Sequence, residues 1–239
     1  MDSNELLWTL GGLALAVVIG IGTMQWSQQR DRKRHQEIRQ AVMRMGLAPR
    51  DQGTAPDLAL FALSQLGNRG AVSWPGVSFA VDGGQVTICE YIAVRQVERR
   101  DLENYRSEDQ FYRQNRSEDR FYRQTVLLFK AEYLRAPAFY LRPAGIGDKI
   151  KQLFHQTAID FPHHPDFAQA YLLRGNDESQ IRQFFTDQKL NMLTRYRGWY
   201  VEGNGQRLIC YRLGELAAGA TAHQFVQEAL AIARGLSQL

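Results

Sequence analysis

The sequence predicts an α+β protein: an N-terminal transmembrane helix, a mainly antiparallel sheet domain with several helices, and a C-terminal amphipathic helix. Three observations carry this expectation. One long run near the start holds no charge, two glycine-rich turn signals sit between β-rich runs, and helical periodicity gathers late in the chain.

The uncharged run is "LLWTLGGLALAVVIGIGTMQW", Leu6–Trp26, and its 21 positions would make a helix of about 31 Å, the thickness of a hydrocarbon core. Trp8 and Trp26 stand near its ends, where indole rings favour the interface. Asp2 and Glu5 precede it and no A-x-A site follows, so the run reads as an uncleaved anchor rather than a signal peptide. Arg30, Arg32, Lys33, Arg34, Arg39 and Arg44 form a basic collar directly after it. That collar keeps its side in the cytoplasm, puts the N-terminus out, and attracts anionic headgroups. Gly12, Ala16 and Gly20 share one face of the span, a spacing that lets membrane helices pair closely, either with a second copy or with another membrane protein. The predicted divisions are therefore 1–27 for stub and span, 28–56 for a juxtamembrane helix and linker, and 57–239 for a cytosolic domain.

Along the chain, Ile38, Val42 and Met45 extend the helix past the collar. "GLAPRDQGTAP" (46–56) reads as a linker, and Asp57 caps a short helix over Leu58–Leu66. "VSFAVDGGQVTICEYIAV" then reads as a hairpin turning at Asp82-Gly83-Gly84. "TVLLFKAEYL", "AFYLRP" and "QAYLLR" read as strands, and "WYVEGNGQRLICYRL" as a second hairpin turning at Gly203-Asn204-Gly205. Helices are expected over 147–154 ("GDKIKQLF") and 177–185 ("DESQIRQFF"). The last helix should start on a Thr221/Gln224 capping box and bury Phe225, Ala229, Ile232, Ala233 and Leu236. "VDGGQVTICEY" and "VEGNGQRLICY" echo each other, as do "FYLRPAGIGDKIKQLF" and "AYLLRGNDESQIRQFF"; an internally duplicated fold would explain both echoes, and so would convergent hairpin chemistry, the plainer reading.

Between two predicted strands lies a charged insertion, 95–124, with one ten-residue phrase said twice: Tyr105–Gln114 and Asn115–Gln124 agree at eight of ten positions. Ten residues preserve the two faces of a strand but rotate a helix by about 80°, which favours an extended hairpin or loop. Phe111, Tyr112, Phe121 and Tyr122 are candidate partner contacts, set against a solvated loop with self-compensating charge. Its acids nearly cancel its arginines, which disfavours nucleic acid.

No phosphate-cradling loop, nucleophile elbow or zincin motif is present, and no cofactor is implied. Cys89 and Cys210 show no ligand or disulfide-framework spacing and read as buried free thiols. His163 and His164, with Asp160 and Asp166 nearby, are the candidate metal or acid–base group, set against a plain turn between two prolines.

The segments "MGLAP", "DLALFALSQLGNRGAV", "VTICEYIAV", "QTVLLF", "PAFYLRP", "IDFPHHPDFAQAYLLRG" and "GWYVEG" span about residues 45–212. In their order the chain resembles a loosely defined group of bacterial single-pass membrane-anchored proteins with a cytosolic α+β domain. The resemblance implies a shared fold and anchored topology, and no catalytic residues. The expected function is that of a non-enzymatic, membrane-anchored interaction or scaffolding module. The alternatives are a membrane-tethered sensor or small-ligand-binding domain, and an enzyme of unrecognised type built near His163 and His164 or the "YLRP" and "YLLR" strands.

Overall fold

In the computed structural model the described residues are 25–51, 56, 71–96, 119–145 and 158–238. A helix, α1, covers residues 25–44. The strands are β1 (Arg50–Asp51), β2 (Ala71–Val81), β3 (Gly84–Gln96), β4 (Asp119–Lys130), β5 (Ala136–Pro143), β6 (Tyr171–Gly175), β7 (Tyr200–Gly205) and β8 (Arg207–Tyr211). Four further helices are α2 (Pro165–Ala170), α3 (Glu178–Phe184), α4 (Asp187–Arg195) and α5 (Gly219–Ser237). The eight strands form one sheet in the order β1-β2-β3-β4-β8-β7-β5-β6, with every pairing antiparallel.

The first hairpin turns where expected. Val81 pairs with Gly84, leaving Asp82 and Gly83 as a two-residue loop with φ of 49° and 73°. Positive φ at both positions is what a right-twisted two-residue hairpin requires. The second hairpin turns later than expected, at Gly205-Gln206, because Asn204 already pairs with Arg207. Gly203 is a strand residue: a Cβ there would lie 2.2 Å from the Phe139 ring, so this glycine provides close approach rather than a turn. Gly76 has φ +93°, and a Cβ on it would fall 1.8 Å from the Ile88 carbonyl oxygen. It sits beside Pro75 where the β2 register shifts, and Pro is tolerated here because β1 pairs only with Val77 and Ser78 of β2.

Alternation sorts the sheet into two faces. Val77, Phe79, Ile88, Leu127, Phe129, Leu141, Leu173, Val201, Leu208 and Cys210 point to one face and share the main core with α1, α4 and α5. Ile38, Ala41 and Val42 bring α1 onto this face, as their spacing predicts. All five residues expected to form the α5 stripe are buried. The α5 start differs from expectation. The helix begins at Gly219, so Thr221 lies inside the first turn and its Oγ1 accepts from the Ala218 N–H at 3.2 Å. Gln224 instead donates forward to Glu228 at 2.8 Å, and Glu37 of α1 accepts the Gly219 N–H at 2.6 Å.

Other expectations are refined. The linker carries β1, whose Asp51 is bonded to Arg39. Strands β3 and β4 run into the charged insertion from both sides, pairing Gln96 with Asp119. Gln169 and Ala170 end α2 rather than opening a strand. Helix α4 has no counterpart in the sequence-based reading; it buries only Lys189, Leu190 and Leu193. Helix α3 forms as expected, with Asp177 accepting the Gln180 N–H at 3.0 Å. The predicted helices over Leu58–Leu66 and 147–154 lie outside the described residues.

Candidate functional site

The most connected polar group among the described residues joins α1 to the middle of the sheet. Arg34 shares the inner face of α1 with Ile38, Ala41 and Val42, so helical spacing carries its guanidinium inward. Glu90 follows Ile88 on the helical face of β3 and has no exposed surface. Arg34 Nε donates to Glu90 Oε1 at 2.6 Å, and Arg34 Nη2 donates to Glu90 Oε2 at 2.9 Å. This fork-on-fork pairing combines charge with fixed geometry.

Three side chains complete the clasp. His35 Nε2 lies 3.1 Å from Glu90 Oε1, and the His35 ring stacks on Trp74 with centroids 4.0 Å apart. Arg123 of β4 donates to Glu90 Oε2 at 2.9 Å and to Asp31 Oδ2 at 2.8 Å. Asp31 accepts from Arg34 at 2.9 Å and so closes the loop. Burial alone would raise the Glu90 carboxyl, but the His35 and Arg34 hydrogen bonds and the Arg34 charge outweigh it and bring its pKa to about 2. Arg123, against a smaller opposing effect of burial and with help from Arg34, also holds Asp31 below the usual carboxylate range. A carboxylate so fully engaged cannot serve as a base; the arrangement is mechanical, fastening α1 to β3 and β4.

A second buried carboxylate lies on the opposite face. Glu202 of β7 is 5% exposed and accepts from the Tyr211 hydroxyl at 3.0 Å. Tyr211 stacks on Tyr200 at 5.1 Å, and Tyr140 stands directly across from Glu202 in the register. Burial pushes the Glu202 pKa up to about 8, because the Tyr211 hydroxyl offsets only part of the lost solvation.

The expected site residues are dispersed. Arg34 leaves the basic collar for the clasp, and Arg39 is bonded to Asp51. Arg30, Arg32, Lys33 and Arg44 stay exposed, with the Arg30 guanidinium 3.9 Å above the ring of Trp26. His163 is exposed in a turn, while His164 Nε2 lies 2.9 Å from Asp187 Oδ1. Among the described residues no group of three or more His, Cys, Asp or Glu is placed to hold a metal ion. Gly12, Ala16, Gly20, Phe111 and Tyr112 lie outside the described residues. Phe121 and Tyr122 sit in β4, opposite Val94 and Ala93.

Sequence reasoning missed Glu90, Arg123 and Glu202. The available signal was position: Arg123-Gln124 runs directly into the apolar "TVLLF" of a central strand, where a charged residue needs a partner. Arg123 finds its partners in Asp31 and Glu90, and the neighbouring Gln124 Oε1 accepts the Gly214 N–H at 3.2 Å. No helix among the described residues is long and apolar enough to cross a membrane, and all but the last two residues of Leu6–Trp26 lie outside them. No protein-family model, curated protein or solved structure matches the chain.

Proposed function

We propose that the chain is a non-enzymatic, single-pass membrane-anchored protein that holds an α+β interaction or scaffolding domain at the cytosolic face of a bacterial inner membrane. The observation that carries this is the two-sidedness of α1. One side is locked into the sheet by Arg34, Ile38 and Val42, while Arg30, Arg32, Lys33 and Arg44 stay in solvent below a Trp26 that is 60% exposed. A helix built this way suits a bracket, with an apolar span before it, cations level with anionic headgroups, and a rigid domain behind. The uncharged Leu6–Trp26 run supplies the span, and its Gly12/Ala16/Gly20 stripe supplies a surface for pairing.

The test is fractionation and topology of the full chain. Retention in the membrane pellet after alkaline carbonate, with a C-terminal reporter active only in the cytosol, is expected. Release by carbonate, or a reporter active outside, would overturn the reading. A second reading, a membrane-tethered ligand-binding domain, is favoured by a cavity of about 400 Å³ on the sheet.

A further inference from the structure

The face of the sheet that bears Glu202 holds a second buried cluster: Cys89, Tyr91, Val126, Ile209 and Tyr211, each 1% exposed or less. Register brings them together. Val72 pairs with Tyr91, Cys89 with Val126, Val126 with Tyr211, and Glu202 with Ile209. Directly opposed residues on neighbouring strands share a face.

No residue of a described helix belongs to this cluster. The described helices turn their buried apolar side chains to the opposite face, through Ile38, Phe167, Ile181, Leu190 and Phe225. A sheet face hides side chains as large as tyrosine only beneath a second layer. The cluster runs from Val72 of β2 across β3 and β4 to Tyr211 of β8. A layer over it must therefore extend about 15 Å across the strands.

The connection from β1 to β2 suits that layer. It leaves the sheet at Asp51, opposite Val77, and returns at Ala71, next to Val72 of the cluster. Within it "LALFALSQL", Leu58–Leu66, is polar only at Ser64 and Gln65. A helix of that length measures about 13.5 Å, and one that is apolar nearly all round is buried. Residues 52–57 and 67–70 can reach about 20 Å and about 13 Å, enough to carry it from the sheet edge over β3 and β4. The other internal connections fit an apolar face less well. Residues 97–118 are dense in charge, and 146–157 carry Asp148, Lys149, Lys151 and His155.

We propose that Leu58–Leu66 docks as a helix on this face and forms the second layer over Cys89, Tyr91 and Val126. The face is then an internal interface, not a docking surface for another protein. The inference concerns the domain alone and stands whether or not the chain is anchored.

The experiment is photocrosslinking of the full chain in a nonionic detergent, with benzoylphenylalanine placed singly at Phe61, Leu63 and Ile150. Phe61 and Leu63 point to opposite sides of a helix, so one of them faces the sheet. Peptide mass spectrometry maps the adducts. The expected result is an adduct within one chain, from position 61 or 63 to β3 around Cys89 and Tyr91 or to β4 around Val126. Its yield should fall tenfold or more in denaturing urea. Adducts to these strands that form only between two chains would assign the face to a second copy. Adducts from position 150, and none from 61 or 63, would assign it to 146–157. Either outcome, or no adduct from 61 or 63 to β3 or β4, overturns the proposal. Retained protection of the buried Cys210 thiol shows that the probe has not unfolded the chain.

Discussion

Glu90 and Glu202 are both buried in one sheet, point to opposite faces of it, and are held in opposite protonation regimes, with pKa values of about 2 and about 8. Glu90 faces two arginines and a histidine; Glu202 faces a tyrosine hydroxyl. The difference between them is the company each keeps, since burial pushes both upward.

These two groups give stability slopes of opposite sign. Glu90 is depressed below its ordinary 4.5, so its contribution is complete above that pH and is lost as pH falls toward about 2. Glu202 is raised, so its contribution is complete below 4.5 and is lost as pH rises through about 8. Each amounts to roughly a few kcal/mol, because a tenfold change in proton affinity is worth about 1.4 kcal/mol. Urea denaturation should therefore show Glu202→Gln gaining about 2 kcal/mol or more over the native chain at pH 8.5, with near equality at pH 5. A variant equally destabilised at both pH values would refute the assignment.

The clasp predicts strong asymmetry between single and paired substitution. Arg34→Ala leaves Glu90 buried with part of its charge uncompensated and should cost about 3–5 kcal/mol. Replacing both partners, as in Arg34→Met with Glu90→Met, removes the charge with the cation and should recover most of that loss. Chemical denaturation of the four chains in the cycle measures the coupling. A loss below about 1 kcal/mol for Arg34→Ala would mean the pair contributes no more than a surface ion pair.

The tandem repeat predicts a deletion that repairs itself. Removing Asn115–Gln124 brings "DQFYRQ" (Asp109–Gln114) directly before Thr125, in place of "DRFYRQ" (Asp119–Gln124). Arg113 then inherits the position from which Arg123 reaches Asp31 and Glu90. Stability should change by less than about 1 kcal/mol, because shortening the connection between β3 and β4 alters closure entropy only logarithmically. Within the shortened chain Arg113→Ala should be as damaging as Arg123→Ala is in the native one, whereas Arg113→Ala in the native chain should be silent. Damage from Arg113→Ala in the native chain would show that the first copy has its own role.

How much of this was legible follows from the range of each interaction. The Asp82-Gly83 turn and the α5 stripe were readable because backbone sterics and a 3.6-residue period act over a few residues. The second hairpin was misplaced because Gly203 answers to Phe139, a residue 64 positions earlier in the chain, and not to its own turn. The clasp was invisible for the same reason: Arg34 and Glu90 are 56 residues apart, and Asp31 and Arg123 are 92 apart. Arg34 stood among five other cations and Arg123 at the end of a charge run, so each resembled a solvated side chain. The burial of Arg34 is a tertiary fact with no local trace, and Arg123 left only its place just before an apolar strand.

The cysteines give a face-specific probe of opening. Cys89 on β3 and Cys210 on β8 flank β4, pairing with Val126 and Leu127. Consecutive β4 residues point opposite ways, so Cys89 lies with Tyr91, Val126, Ile209 and Tyr211, while Cys210 lies in the main core. Both are fully buried; burial, and the nearby Glu90 charge in one case, push the Cys89 thiol up to about 12, and burial pushes Cys210 higher still. Neither should react with an aromatic disulfide reagent in the native state at pH 8, since the thiolate is the nucleophile. Labelling of Cys210 should require global unfolding, because α5 and the sheet close over it together. Arg34→Ala loosens α1 from β3, so it should speed labelling of both thiols in proportion to the stability it removes. Cys89 labelling faster than the global unfolding equilibrium allows, with Cys210 still protected, would show instead that the face bearing Glu202 opens independently of the helical face.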